Sequence, residues 1–366
     1  MTAVAWRLFR AQAVWGAAAL GVVGVVLLAT GPSLAHVYDA SAAACRSAGG
    51  VGPACASPTL SSGYTLLQNA VVALVLVGPA VLGIFWGAPL IAREFETGTF
   101  RLAWTQGVTR LRWLAVKVGL GGVASLAAGV ALSLAATWWS APVDAVNQNR
   151  FSPSVFQVHG IVPGGYALFA FTLGVTTGVL FRRVLPAMAT TLVVFIAARY
   201  VTSFEVRPYL LPLAHLTRKL SPATFGISLS PSGASAVGNA PNLPNAWVIS
   251  ASIVDKAGRS ASPAVVKQLC ASLPGVGTPP LFSPHGLLGH IGAKGGTVGA
   301  VPGVQSQIQS AMSHCIANMG RRYHLAVAYQ PAGHFWPIQI LEALVFVVLS
   351  AGLFALCAWW VTRRLT

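Results

Sequence analysis

The sequence predicts an all-α polytopic membrane protein with six transmembrane helices, both termini cytoplasmic, and a small α/β extracellular domain between helices 5 and 6. Three observations lead there. Apolar residues are 55% of the 366 and mean hydropathy is +0.69, too oily for an ordinary soluble domain of this size. They gather into six nearly charge-free blocks, about 13–31, 66–91, 113–137, 164–181, 184–204 and 338–361. Each approaches or exceeds the roughly 20 residues that cross a ~30 Å hydrocarbon core. Basic residues crowd one set of block ends and avoid the other.

The first block has no small-residue cleavage site and five more follow it, so it is read as a span rather than a removed signal. In the second block, Gly78-Pro79 and Gly87 with Pro89 predict kinks whose freed backbone groups need neighbouring partners. Trp138 and Trp139 end the third span, Trp336 precedes the sixth, and Trp359 and Trp360 close it, as aromatic residues do at membrane edges. Arg182 and Arg183 are almost all that separates the fourth and fifth spans, which must form an antiparallel hairpin.

Orientation follows from the short flanks. Arg7, Arg10, Arg93, Arg101, Arg110, Arg112, Lys117, Arg182, Arg183, Arg363 and Arg364 lie on one side. The opposite short loops, about 32–65 and 138–163, carry only Arg46 and Arg150. Eleven against two places the first set in the cytoplasm. The chain then divides into residues 1–204 with five spans and a cytoplasmic polar segment at about 93–112, an extracellular domain at 205–336, and a sixth span with its tail at 337–366. The formal charge of +16 is largely topology. It calls for no nucleic acid, and its cytoplasmic share favours anionic lipid headgroups.

The extracellular segment opens as a Pro/Ser/Gly-rich connector, about 230–246, and then becomes organised. WVISASIV reads as a strand and DKAGRS as a turn. SPAVVKQLCASL reads as a short helix, with Ser262 as cap and Pro263 in its first turn. VQSQIQSAMSHCIANM is amphipathic at helical spacing, and RYHLAVAY is a second strand. Cys45 and Cys55 share the first outer loop and Cys270 and Cys315 the large outer segment, which predicts two disulfides in an oxidising compartment. Metal binding is the alternative reading of these cysteines, but no CxxC spacing supports it.

The most charged stretch of the chain is REFETGTFRLAWTQGVTRLRWLAVK, Arg93 to Lys117. It holds two of only seven acids, Glu94 and Glu96, and five basic residues. Gly98 permits a sharp turn and Thr99 is a plausible helix cap. Phe100, Ala103, Trp104, Val108 and Leu111 then recur at three- and four-residue steps, which predicts a short amphipathic helix. Such a helix can simply rest among headgroups. The paired acids argue against that, because carboxylates gain nothing from an anionic surface.

This stretch resembles the loop between spans two and three of type-2 ABC exporter permeases, with its acid, its Gly-Thr and its closing Arg…Lys. YQPAGHFWPIQILEALVF, Tyr329 to Phe346, is similar to the lead into the last span of bacterial members with an outer domain. His334 stands where that resemblance leads one to expect arginine. The resemblance implies a coupling helix, with Glu94, Glu96, Thr97, Gly98, Thr99, Arg101, Trp104, Gln106 and Arg110 contacting a separate ATPase subunit. It implies two ATPase copies that bind ATP and magnesium, a second permease copy, and the bacterial plasma membrane. This chain would hold no cofactor or metal and have no catalytic residues of its own. In keeping with this, the chain has no GxxxxGK[ST] loop; GAKGGT lacks the Lys-Ser/Thr pair.

Enzymatic readings are weak. HGLLGH has no HExxH spacing, and no GxSxG elbow is present. The few charges inside spans point to an amphipathic or lipid-like cargo. They also single out Arg199 and Glu342, opposite charges at similar depth in spans five and six, with Gln339 on the same face as Glu342. Charges in a bilayer pair or face water, and these two are expected to pair with each other; the alternative is that Arg199 snorkels to the outer headgroups and Glu342 lines the cargo path. The alternative to a transporter is an ATPase-independent, membrane-anchored binding or sensor protein that works through its outer domain.

Overall fold

A computed structural model describes residues 2–49, 62–99, 109–230, 233–273 and 304–364. The chain divides into two compact units, Met1–Leu211 with Ala332–Thr366, and Pro212–Pro331.

The first unit is helical. Its elements are α1 (Thr2–Ser47), α2 (Ser62–Leu82), α3 (Ala88–Thr97), α4 (Arg110–Asn147), α5 (Val162–Phe181), α6 (Val184–Val201) and α9 (Phe335–Arg363). With α2 and α3 counted as one, these are six stretches long and apolar enough to cross a membrane. The irregularity in the second span falls neither at Pro79, which sits within α2, nor at Pro89. It is a π-helical turn, Gly83–Gly87, that joins α2 to α3.

The centre of this unit is α5. Of its most apolar window 83% is buried, against 11–33% in the other five spans. The reason is small residues on two facing surfaces. Gly83 and Gly87 on the π turn meet α5 around Ala170, Phe171 and Gly174, and one turn further on Gly178 meets Ala88 of α3. A Cβ on Gly174 would lie 2.2 Å from the Gly83 carbonyl oxygen, and one on Gly87 would lie 2.5 Å from that of Phe171. Backbones this close gain dispersion contacts that a lipid-facing helix lacks. The turn after α5 is as short as the sequence requires: Arg182 takes the left-handed conformation at φ 54°, and α6 starts at Val184.

The fifth span does not stop near residue 204. A π turn, Thr202–Val206, and a 3-10 turn, Arg207–Tyr209, continue it, so Glu205 and Arg207 belong to the helical unit.

The second unit holds β1 (Ala214–Arg218), β2 (Phe225–Ser230), β3 (Gly233–Gly238), β4 (Trp247–Asp255), α7 (Pro263–Leu269), α8 (Val304–Met319) and β5 (Tyr323–Gln330). Antiparallel β5 lies between β1 and β4, and β2 pairs with β3. The strands at β4 and β5 and both helices lie where periodicity predicts them. β3 does not: it occupies part of the expected connector, paired Ser228 to Ser235 and Leu229 to Ala234. Its residues, GASAVG, are small and carry no alternation strong enough to mark a strand. Ser262 caps α7 by accepting from the Val265 N–H, and Cys270 and Cys315 form a disulfide beside Val266, Met319 and Leu325 in the core. Cys45 is disulfide-bonded as well; Cys55 lies outside the described residues.

Candidate functional site

Two polar sites stand out in the helical unit. The first is the turn that ends α3. Gly98 has φ 70°, a left-handed conformation open to glycine at little cost, and it caps the C-terminal end of α3. Thr97 donates its hydroxyl to the Arg93 carbonyl at 2.8 Å, and the hydroxyls of Thr97 and Thr99 lie 3.1 Å apart. Glu94 forms an ion pair with Lys117 on α4, and the Lys117 ammonium also lies 4.8 Å from the centroid of Trp113. Glu96 reaches the other way. Its Oε1 accepts from the Val184 N–H at 2.8 Å, at the first residue of α6. A carboxylate there satisfies a free helix donor and complements the positive helix end.

Both acids therefore turn onto this chain itself. They tie the end of span two to the starts of spans three and five. Arg101, Trp104 and Gln106 lie outside the described residues. Arg110 opens α4, which Thr109 caps by accepting from the Arg112 N–H at 3.4 Å; the helix that Thr99 is expected to cap lies outside the described residues.

The second site is a buried charge cluster. Glu342 of α9 and Arg207 of the 3-10 turn are both fully buried. Arg207 grips the carboxylate with two parallel bonds, Nε to Oε2 at 2.7 Å and Nη2 to Oε1 at 2.8 Å. Tyr166 of α5 donates its hydroxyl to Oε1 and accepts from Arg207 Nη2 at 3.2 Å. The guanidinium carbon lies 4.3 Å from the centroid of Phe156, while Nη1 has no hydrogen-bond partner. One turn before Glu342, Gln339 is saturated. Its oxygen accepts from the Ile161 and Val162 N–H groups, and its nitrogen donates to the Phe156 and His159 carbonyls. It staples the segment before α5 to α9.

This corrects the expected pairing. Glu342 takes Arg207, not Arg199. Counting residues from the last charged flank gives depth but not azimuth, and the continuation of span five past residue 204 brings a second arginine to the same level. Arg199 belongs to the neighbourhood in another way. Its guanidinium carbon lies 4.4 Å from the Tyr166 ring centroid, Nη1 donates to the Leu76 carbonyl at 2.6 Å, and Nη2 donates to Gln157 Oε1. Arg207 could have been noticed in the sequence only as a basic residue beside Pro208 just beyond a span. Nothing local marks it as buried.

A third group, Ser140, Asp144 and His159, looks superficially catalytic. His159 Nε2 lies 2.6 Å from the Ser140 hydroxyl and 3.3 Å from Asp144 Oδ2, but Nδ1 faces the Val155 carbonyl at 2.6 Å. A nucleophile–base–acid relay needs serine and carboxylate on opposite ring nitrogens. Here both crowd one nitrogen, so the group anchors the segment before α5 to α4. Among the described residues no group of three or more His, Cys, Asp or Glu could hold a metal.

Six apolar helices of these lengths define a multi-pass membrane protein. A family model described as ABC-2 membrane transporter related matches residues 17–207, more than half of the chain, and the chain belongs to that family. It is a membrane transport permease, not itself a catalyst. No curated protein and no solved structure is significantly similar to it.

Proposed function

We propose that this chain is the transmembrane subunit of an ATP-driven bacterial exporter of the type-2 ABC class, moving an amphipathic or lipid-like cargo. Two copies would work with two ATPase subunits, which bind ATP and magnesium. Both termini and the segment at about 93–112 would face the cytoplasm, where that segment seats on the ATPase. Family membership favours this over the sensor reading.

The observation that carries the proposal is the double tie at the end of α3. Glu94 to Lys117 and Glu96 to the Val184 N–H couple one short turn to three spans at once. A push on that turn would be passed to spans two, three and five together, as a mechanical input must be. The acids then act as struts, and contact with the ATPase would fall to the residues the resemblance assigns to it, Arg101, Trp104 and Gln106.

The test is co-purification of the chain with an ABC ATPase subunit and measurement of ATP hydrolysis. With Trp104→Ala and Arg101→Glu together, the chain should insert normally yet retain the ATPase at least about tenfold less well, as expected for loss of a packed contact. Undiminished retention by that variant overturns the contact, and export that persists without any ATPase overturns the whole reading.

A further inference from the structure

The charge cluster leaves one cation over. Arg199 and Arg207 are both within span five and its continuation, and Glu342 is the one carboxylate among their contacts. Arg207 takes both of its oxygens. Arg199 enters none of the ion pairs among the described residues. Its direct partners are the Leu76 carbonyl, the Gln157 amide oxygen and the rings of Tyr166 and Phe195, and the charge of Glu342, already taken up by Arg207, acts on it only from a distance. A guanidinium so placed within an apolar span is costly unless a counter-ion or water reaches it.

The structure also provides a route to it. A pocket of about 360 Å³ between spans two and five holds Arg199 and Gln157 together with Leu76, Leu192, Phe195 and Ile196. Leu192, Phe195, Ile196 and Arg199 follow helical three- and four-residue steps and so form one strip of α6, with the charge at one end. From Arg199 to Leu192 the helix rises about 10 Å, the length of a medium alkyl chain. Gln157 is held in place by its own bond to Ser203 at 2.8 Å, so its amide is a fixed polar wall.

We infer that this pocket binds a singly anionic, single-chain amphiphile, with its head on Arg199 and its tail along Leu192, Phe195 and Ile196. An anion there supplies the charge the cluster lacks, and the guanidinium has further N–H donors to offer it beyond the two bonds it makes. The inference names a cargo class within the transport reading and rests on it. Its test uses binding by this chain alone, so its failure leaves the ATPase contact untouched.

The experiment places the full chain in lipid nanodiscs of phosphatidylcholine and measures saturable uptake of radiolabelled decyl sulfate over empty discs, with decanol as the uncharged control. Decyl sulfate should bind and decanol should not. Arg199→Gln should weaken binding about tenfold or more, as for one lost partner of a desolvated charge contact, and Arg199→Lys should restore most of it. Ile196→Trp, which fills the pocket and leaves the cluster intact, should block binding by itself. Repeating the measurement with phosphatidylglycerol in the discs separates two sources of such a head. Unchanged uptake supports a free single-chain amphiphile, whereas displacement by phosphatidylglycerol would assign the pocket to a two-chain bilayer lipid and overturn the single-chain assignment. Equal binding of decyl sulfate and decanol, or binding by Arg199→Gln at the original strength, overturns the site. So does a pocket that binds neither probe because a second copy of the chain fills it.

Discussion

The α3 turn and the Arg207–Glu342 cluster are built from the same chemistry and serve opposite ends. At the turn, Glu94 and Lys117 keep side-chain exposures of 23% and 14%, and each acid makes a single tie to a different helix. In the cluster, Arg207 and Glu342 have no exposure at all, and their fork is buttressed by Tyr166 and Ser203. A pair that water still reaches can be opened and remade at small cost. A pair out of water cannot, because breaking it strands a buried charge. The turn is thus suited to passing on a push, and the cluster to holding spans four, five and six in register while that happens.

The comparison breaks most easily at the cluster. Glu342→Ala or Arg207→Ala should destabilise the helical unit by about 3–5 kcal/mol, read as loss of thermal stability in detergent. Arg207→Met with Glu342→Leu should cost clearly less than either single change. Single variants as stable as the parent would show that the buried fork is not what holds these helices. Next in size is the turn. A cycle through Glu94→Lys, Lys117→Glu and the exchanged pair should show a coupling of about 1 kcal/mol, with ATPase activity partly restored by the exchange. No restoration would mean that the identity of Glu94, and not its bond to Lys117, is what matters.

A smaller effect is expected at the start of α6. Glu96→Gln keeps an acceptor for the Val184 N–H but removes the charge, and should cost about 0.3–1 kcal/mol, read in the same melting experiment. The smallest belongs to an acid at the surface of the other unit. The Asp255 carboxyl is held below its ordinary range, foremost by the backbone N–H of Arg259 and also by that of Ala257. Its folded pKa is depressed, so its contribution is present above the unfolded value of about 3.9 and fades as pH falls through the folded one. Stability measured down through that window should show a slight loss that Asp255→Asn abolishes. A flat profile in both proteins would remove Asp255 from the series.

Much was legible before any coordinates. Six apolar blocks, the short Arg182–Arg183 turn, the Ser262 cap and the β4 and β5 strands are local signals, carried by residues within a few positions of one another. Gly98 was legible for the same reason, since a left-handed turn is written at one residue. The Cys270–Cys315 bond was inferred from two cysteines in one predicted compartment, and the fold places them side by side. β3 was missed because its small residues pair only by virtue of β2. Of the residues read as irregular in the second span, Gly87 falls in the π turn and the two prolines do not; the start of that turn at Gly83 carried no local signal, because it is defined by the face of α5 it meets.

By itself the sequence determined the class of this protein, its spans and the polar turn between two of them, because hydrophobicity, charge spacing and turn chemistry act over short distances. Which arginine meets Glu342, that Glu94 and Glu96 point back into their own chain, and that Arg199 is left facing an apolar pocket were decided only by tertiary structure. Each depends on the rotation of one helix about its axis against another. That rotation is set by the summed close packing of many small residues around α5, Gly83, Gly87, Gly174 and Gly178 among them, and no single stretch of sequence contains it.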